Sequence, residues 1–315
     1  MPGSDKEGEG VHIGILDSVG NPPEELKSGI KFEEAHDGYL SIEADDLIGH
    51  GTDVLDLAAA MAPRATFSTF QVTPTNPSES NQGSRRGAVI SALNDVADTD
   101  IDLLNMSLGI PHECGGRCSL SRETRYLAKE DDVCPVVATG NRERAKRLGV
   151  HCPAICDEVL SVAGYMPYCG HEIVRGEESG QWWLESKNGE TPTGIFCGQS
   201  GCCSGADCMT HRVEKPWGGN VSWHNSVPDV TAPPIHLKEN GASEVSLQLG
   251  TSFSTPIVTG LLATALSDLP TSWNNLSALE IVRTASESSS LLDEGDLYKF
   301  DMGATRQNLA QRVNR

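Results

Sequence analysis

Short apolar runs alternate with segments of helical periodicity through the first half of the chain. VHIGILDS at 11–18 is typical of a buried strand, and GHGTDVLDLAAAMAP at 49–63 is typical of a helix that ends at a proline. Chains that alternate in this way form a parallel sheet with helices on both faces, so we expect an α/β fold with a doubly wound parallel sheet flanked by helices. The same alternation predicts further strands at 65–72, 100–109, 134–141 and 158–165, and a helix at 85–98.

Regular patterning stops near residue 166 and resumes after residue 224. The stretch between is rich in glycine, tryptophan and cysteine, and no hydrophobic period assigns it to helices or strands. The pattern returns with PDVTAPP at 228–234, an apolar helix that runs to about residue 268 and a terminal helix at SALEIVRTAS. Because the sequence has no internal repeat, we predict a single domain over 1–315 that carries 166–224 as a cysteine-rich insertion.

The charge balance excludes several classes of partner. Asp and Glu number 44 against 24 Lys and Arg, and the formal net charge is −20 at pH 7. No basic stripe offsets this field, so we expect neither nucleic acid nor an anionic membrane as partner. The excess fits a protein adapted to high salt, where self-repulsion is screened, and fits an ordinary acidic cytosolic protein equally well.

The amino-terminal residues predict the compartment. MPGSDKEGEG contains neither the basic nor the apolar segment of a signal peptide, and the longest nearly apolar run, PIVTGLLATAL, is too short to span a bilayer. We therefore expect a cytoplasmic protein, with a secreted mature form as the alternative.

Four polar residues of different chemistry fall where predicted strands end or helices begin. Asp17 ends the first strand, and His50 lies in the glycine-flanked turn that starts a helix. Asn141 ends the 134–141 strand, and Ser252 stands just ahead of the apolar helix. The carboxyl ends of parallel strands meet at one edge of a sheet, so these groups could converge there. Each residue on its own is also an ordinary helix cap, turn former or surface group.

The motifs around these residues resemble those of the subtilisin-like serine peptidases, the subtilases. The strongest matches are ILDSVG, GHGT, LNMSLG, TGN and GTSFSTP, which follow the family order of Asp, then His, then Ser. APRAT, CPAICDEVLSVAG and PDVTAPP are weaker matches. The resemblance covers nearly the whole chain except the predicted insertion, and it implies a subtilisin-like fold.

The resemblance also implies a serine endopeptidase. Ser252 would attack the peptide carbonyl, His50 would transfer the proton, and Asp17 would orient the imidazole. The Asn141 carboxamide and the backbone N–H of Ser252 would bind the oxyanion. The intact residues favour this function over two alternatives, a catalytically silent binding module with the same fold and a ligase or cyclase that passes the acyl group to an amine.

The implied substrate is a peptide or protein in an extended conformation, held as an added strand against one wall of the cleft. A second group of residues would line the pocket for the side chain before the scissile bond. That pocket is expected to be uncharged at its base and to take a medium or large apolar side chain. The substrate-binding residues are then Ser107, Leu108 and Gly109 in the wall, and Ala138, Thr139 and Gly140 in the pocket.

Two departures from the family pattern bear on control and on metals. Asp17 lies too near the first residue for the usual folding prodomain, so we expect a regulatory protein, a ligand or the insertion to restrain activity. The family's HGTHVAG is replaced by HGTDVLD at 50–56, and no match to the calcium-binding loop of this region follows it. We therefore expect no cofactor to be required for the chemistry and no dependence on that calcium site.

All ten cysteines lie in the middle third of the chain. Two pairs with the same spacing predict a four-thiolate structural zinc site beside the specificity pocket. Neither this set nor a second one in the insertion has the spacing of a zinc knuckle, so disulfides and buried thiols are the alternatives. The first set is Cys114, Cys118, Cys152 and Cys156, and the second is Cys197, Cys202, Cys203 and Cys208 with His171 or His211.

Overall fold

A mostly parallel β-sheet forms the centre of the protein. The computed structural model describes residues 6–37, 39, 49–73, 86–110, 114–141, 150–168, 171–175, 182–186, 213–217, 228–239, 245–292 and 297–314. The strands in chain order are β1 (His12–Asp17), β2 (Lys31–His36), β3 (Thr66–Gln71), β4 (Leu103–Met106), β5 (Cys134–Ala138), β6 (Leu160–Tyr168), β7 (His171–Arg175), β8 (Trp182–Ser186), β9 (Val213–Trp217), β10 (Val230–Ala232), β11 (Ile235–Glu239), β12 (Val245–Leu249), β13 (Ser290–Leu291) and β14 (Tyr298–Lys299).

The strand order places the end of β1 at the point where the chain reverses direction across the sheet. The order is β13-β14-β10-β6-β5-β4-β1-β3-β2, and the pairs from β10 to β2 are all parallel. The antiparallel additions are β9 on β6 and β13 on β14, while β7–β8 and β11–β12 form separate hairpins. Ligand sites of open α/β sheets lie beside such a reversal, at the carboxyl ends of the strands.

Helices cover both faces of the sheet. They are α1 (Glu24–Lys27), α2 (His50–Met61), α3 (Arg86–Val96), α4 (Ser119–Glu130), α5 (Thr251–Ser267), α6 (Ala278–Glu287) and α7 (Met302–Val313), with a 3-10 turn at Thr271–Asn275. One hydrophobic cluster joins α2, α5, α6 and α7 to one face, and a second joins α3 and α4 to the other. This arrangement confirms the expected doubly wound α/β class.

Helix α5 runs through the interior and packs closely on α2. Of its 17 residues, 14 are buried. A Cβ added at Gly260 would lie 2.6 Å from the carbonyl oxygen of Ala58 and 2.5 Å from the Cβ of Met61, so the two helix backbones touch at this glycine. Thr264 Oγ1 donates a hydrogen bond to the Met61 carbonyl at 2.8 Å. The position of α5 relative to α2 is therefore set by direct contact.

The sequence did not predict several of the described elements, namely β2, α7, the β11–β12 hairpin and the short elements α1, β13 and β14. Strand β2 lies at the sheet edge and is largely exposed, so its sequence KFEEAH carries no apolar pattern. Helix α7 follows the helix expected to be terminal and buries only Thr305 and Leu309. The β11–β12 hairpin precedes α5. Strands β7, β8 and β9 lie within the predicted 166–224 insertion, whose boundaries stay a prediction because most of its residues are outside those described.

The buried face of α2 also differs from the expected one. Helical spacing within 49–63 predicts a buried face made of Val54, Leu57, Ala58 and Met61. Val54 and Ala58 are buried, but Leu57 and Met61 are only partly buried, and Leu55 and Ala59 take their places. In the part of the chain that the structure describes, every helix falls short of the length and apolarity needed to cross a bilayer.

Candidate active site

The first candidate groups meet at the carboxyl end of β1. Asp17 is the last residue of β1 and its side chain is 4% exposed, whereas the ring of His50, at the start of α2, is 32% exposed. His50 Nδ1 lies 2.8 Å from Asp17 Oδ1, which also accepts a hydrogen bond from the Ser18 N–H at 2.7 Å. A buried carboxylate on Nδ1 fixes the ring orientation and favours the tautomer in which Nε2 is the basic nitrogen.

The glycines around His50 have a steric role in this pairing. Gly49 has φ of 73° and precedes α2, which is a conformation that glycine adopts without strain. A Cβ added at Gly51 would lie 2.3 Å from the backbone nitrogen of Val19, so only glycine lets α2 begin this close to β1. The Gly51 N–H donates to Ser18 Oγ at 2.9 Å. The GHG sequence thus brings the imidazole to the Asp17 carboxylate.

Ser252 is the second residue of α5, and its backbone is held by β4. Ser107 Oγ donates a hydrogen bond to the Ser252 carbonyl at 2.8 Å and accepts one from Asn105 Nδ2 at 3.0 Å. Thr259 Oγ1 donates to Asn105 Oδ1 at 2.9 Å, about two helical turns further along α5. These hydrogen bonds fix the amino-terminal half of α5 against the end of β4.

The aromatic ring that follows Ser252 connects this residue with the first pair. The ring centroids of Phe253 and His50 are 5.6 Å apart, with an interplanar angle of 46°. Ser252 and the imidazole of His50 therefore belong to one region of the structure.

Asn141 joins the same region through its acceptor side. Its Oδ1 accepts hydrogen bonds from the backbone N–H of Thr251 at 3.0 Å and from Thr251 Oγ1 at 3.2 Å. Because Thr251 already binds the Oδ1 atom of Asn141, the two N–H groups of Asn141 Nδ2 point away from Thr251 as donors. A carboxamide fixed in this way can stabilise a negative oxygen that forms next to Ser252.

The predicted substrate-binding walls enclose an imidazole that sequence reasoning missed. A Cβ added at Gly109 would lie 2.7 Å from the Cβ of His151, and one at Gly140 would lie 2.3 Å from His151 Nδ1. The His151 N–H donates to the Thr139 carbonyl at 3.1 Å, and the residue is 6% exposed. The side chain of His151 therefore packs between the two walls, and only glycine at 109 and 140 leaves room for it.

This imidazole changes the expected character of the pocket. His151 Nε2 is buried and has no hydrogen-bond partner within the described residues. Burial lowers the pKa of His151, which keeps the ring neutral at pH 7. The space between the Gly109 and Gly140 segments therefore contains a neutral polar ring. The only sequence signal was a histidine immediately before the CPAICDEVLSVAG match.

A further histidine and carboxylate, His236 and Asp53, lie close to each other near Phe253. The ring of His236 is buried, and its centroid is 5.5 Å from that of Phe253. Its Nδ1 lies 3.8 Å from Asp53 Oδ2, beyond hydrogen-bond distance. Asp53 is the first of three positions at which HGTDVLD departs from HGTHVAG, and this departure places a buried carboxylate beside a histidine of the β11–β12 hairpin.

The structure brings together three of the four cysteines in the first predicted zinc set. The Sγ atoms of Cys114, Cys118 and Cys152 all lie within 4.8 Å of one another. Cys156 is not in this group, and its Sγ contacts the Ser121 carbonyl at 3.8 Å instead. The prediction of a four-thiolate cluster is therefore wrong for Cys156. The side chains of the second predicted set lie outside the described residues.

Two thiols in the group have opposite acid–base character. Burial alone raises the pKa of Cys114, but hydrogen bonds from the Cys152 thiol and from backbone N–H groups outweigh it and lower this pKa to about 6. Burial and the same hydrogen bond raise the pKa of Cys152 to about 12. Cys114 is therefore the more acidic thiol of the pair.

Comparison with known proteins identifies chains of similar sequence pattern and fold. The sequence model of the subtilase family matches residues 8–303. No curated protein sequence matches the chain.

Three solved structures with similar folds cover nearly all of the chain. The prenylagaramide maturation protease PagA superposes with a TM-score of 0.62 at 18% identity, covering 97% of this chain and 95% of its own. A serine-to-alanine mutant of the protease domain of PatA gives 0.66 at 15%, covering 98% and 99%. A lanthipeptide protease gives 0.59 at 16%, covering 96% and 89%. At these identities the likeness shows a common fold.

Proposed function

This chain belongs to the subtilase family, and on that premise we propose that it is a serine endopeptidase with Ser252 as nucleophile. His50 is the general base and acid, and Asp17 orients the imidazole. Asn141 and the backbone N–H of Ser252 form the oxyanion hole. Membership of a protease family gives the general reaction, peptide-bond hydrolysis, and the proposal assigns the groups that carry it out.

The observation that carries this proposal is the 2.8 Å contact between His50 Nδ1 and the buried Asp17 carboxylate, beside the start of α5. A neutral hydroxyl is a weak nucleophile and needs a base within reach. The imidazole of His50 contacts the ring of Phe253, the residue next to Ser252, and this proximity supports His50 as the base for that serine.

The acylation step follows from these positions. Ser252 Oγ attacks the carbonyl carbon of the scissile peptide bond while its proton passes to His50 Nε2. The carboxylate of Asp17 stabilises the imidazolium that results. His50 then returns the proton to the leaving amine, and the acyl group stays on Ser252. Water attacks the ester in the second half of the cycle by the same proton transfers in reverse order.

The negative oxygen of the tetrahedral intermediate needs donors that are already in position. Asn141 Nδ2 is suited to this role because Thr251 occupies the carbonyl oxygen of the same side chain. A donor held before the reaction begins does not have to reorganise when charge develops.

The substrate class proposed is an extended segment of a peptide. PagA and PatA are named as maturation proteases and a third similar structure as a lanthipeptide protease, and we extend to this chain only their common action on peptides. Calcium independence, a regulatory partner and a cytoplasmic location stay predictions.

A fluorophosphonate probe tests the assignment of Ser252 as nucleophile, because it reacts with an activated Ser252 and not with a silent binding module.

Removing the proposed oxyanion donor will slow the chemical step. We expect Asn141→Ala to lower kcat about 10²- to 10³-fold with little change in KM, because the donor acts mainly on the transition state. Asn141→Asp is the matched variant, since it keeps the acceptor that Thr251 uses and removes the Nδ2 donor. Both variants should lose kcat in steady-state assays while the thermal midpoint of Asn141→Asp stays near that of the parent. An unchanged kcat in both would remove Asn141 from the mechanism.

The side chain of His151 will determine which residue is accepted before the scissile bond. Because it occupies the space between Gly109 and Gly140, we expect His151→Gly to raise kcat/KM for a large aromatic residue relative to alanine at that position by about tenfold or more. Paired peptides that differ only at this residue measure the ratio, and His151→Asn, with an intermediate volume, should fall between. A ratio that is the same in all three proteins would place the pocket elsewhere.

A further inference from the structure

The proposed mechanism leaves the three-thiol group of Cys114, Cys118 and Cys152 without a role. Within this group the Sγ atoms of Cys114 and Cys152 lie 2.8 Å apart. Cys152 is buried and Cys114 is partly exposed, so reagents in solution reach the pair from the Cys114 side. Two thiols this close, one of them accessible, are arranged for chemistry between the sulfurs.

A zinc ion does not fit the observed spacing well. Thiolates bind tetrahedral zinc at about 2.3 Å, which puts two sulfurs on the same ion about 3.8 Å apart. The Cys114–Cys152 separation is 1.0 Å shorter than that, and Cys156 does not supply a fourth sulfur. A disulfide needs about 2.0 Å between the sulfurs, so a movement of about 0.8 Å would complete it.

We propose that Cys114 and Cys152 form a reversible disulfide, which makes this pair a redox modification site beside the specificity pocket. Cys152 is already tied to Ile110 by two backbone hydrogen bonds, at 3.0 and 3.1 Å. Ile110 follows the wall residue Gly109, and His151 precedes Cys152. The disulfide would therefore link the segment that follows Gly109 covalently to the segment that carries His151.

The oxidant required is a small disulfide, such as glutathione disulfide. The Cys114 thiolate attacks one of its sulfurs, which forms a mixed disulfide and releases one glutathione thiolate. The Cys152 thiol gives its proton to that thiolate and attacks the Cys114 sulfur, which releases the second glutathione as a thiolate that takes up a proton from water. Two electrons pass from the protein pair to the oxidant, and a dithiol reverses the reaction by the same exchange.

The link closes a loop that includes α4 and β5, so oxidation should stabilise the fold as well as the pocket. A crosslink over a loop of this length restricts the unfolded chain, and for a protein of this size the expected rise in thermal midpoint is about 3–6 °C. The effect does not depend on Ser252, so it holds whether or not the chain hydrolyses peptides.

Peptide mapping tests the proposal on the full chain. The reduced protein is treated with glutathione disulfide, trapped with a thiol-alkylating reagent, digested without reductant and examined by mass spectrometry. We expect a Cys114–Cys152 crosslinked peptide that dithiothreitol removes, together with the rise in thermal midpoint. Cys114→Ser, at the partly exposed end of the pair, should lose both, while Cys134→Ala, which changes a buried cysteine outside the group, should keep both.

Three results would overturn the proposal. One is a crosslink that joins Cys118 or another cysteine to Cys114 or Cys152 in the parent protein. Another is one zinc ion bound per chain of the parent protein that is lost in Cys114→Ser and whose presence prevents the crosslink from forming. The third is Cys114 and Cys152 both recovered as alkylated thiols after oxidation, with an unchanged thermal midpoint.

Discussion

Replacing Ser252 by alanine will lower kcat for peptide hydrolysis by about a millionfold, the loss expected when the nucleophile of a triad is removed. The fold should be unaffected, because the hydrogen bond from Ser107 is made to the carbonyl of residue 252 and not to its side chain. The loss should appear equally for every peptide in a library digest, and fluorophosphonate labelling should disappear with it.

The comparison of parent and Ser252→Ala also separates the alternative functions. Mass spectrometry of the products distinguishes hydrolysis from ligation or cyclisation, since only hydrolysis adds one water per cleaved bond. If the parent protein cleaves no peptide and takes up no fluorophosphonate, the proposed function is wrong and a binding role replaces it. If Ser252→Ala retains most of the cleavage, another residue is the nucleophile.

Asp17→Asn will lower kcat by about 10⁴-fold while the chain remains folded. The amide has the shape of the carboxylate but can donate to His50 Nδ1, which favours the tautomer whose Nε2 carries the proton and cannot act as a base. It also removes the negative charge that stabilises the imidazolium. Steady-state kinetics on a good peptide substrate measures the change in kcat.

The chain contains a matched control for this substitution. Asp100 Oδ1 lies 2.8 Å from His12 Nδ1, the same separation as in the Asp17–His50 pair, but neither residue belongs to the proposed site. Asp100→Asn should leave kcat within about twofold of the parent value, as for a surface substitution away from the site. A loss for Asp17→Asn no greater than that for Asp100→Asn would show that the carboxylate at residue 17 has no special role in catalysis.

The sequence predicts the centre of the fold well and its periphery poorly. Strands such as β1 and β3 are buried on both faces, so they consist of apolar runs bounded by polar residues and are easily recognised. Strand β2 and helix α7 bury little, and their residues follow no apolar period. What identifies them is their contact with elements distant in the chain, which a linear pattern does not contain.

The same distinction applies to the site. Asp17 and His50 could be paired in advance because each lies where a parallel strand ends or a helix begins. His151 could not, because its position depends on how closely the segments around Gly109 and Gly140 approach each other. Cys156 has the spacing of a metal ligand, but in the folded chain its sulfur is directed to the Ser121 carbonyl of α4.

The contact between α2 and α5 has a consequence for how this protein can vary. His50 and Ser252 each begin one of these helices, and Ala58 and Gly260, which touch, are each eight residues further on. His50 and Ser252 therefore each lie about 12 Å along their helix from this contact, which acts as a common pivot between the two helices. A small rotation of one helix against the other at this contact would move Ser252 relative to His50 and so separate the nucleophile from its base. Natural variation in what is cleaved should accumulate in the loops around the cleft, and the pivot should tolerate almost none.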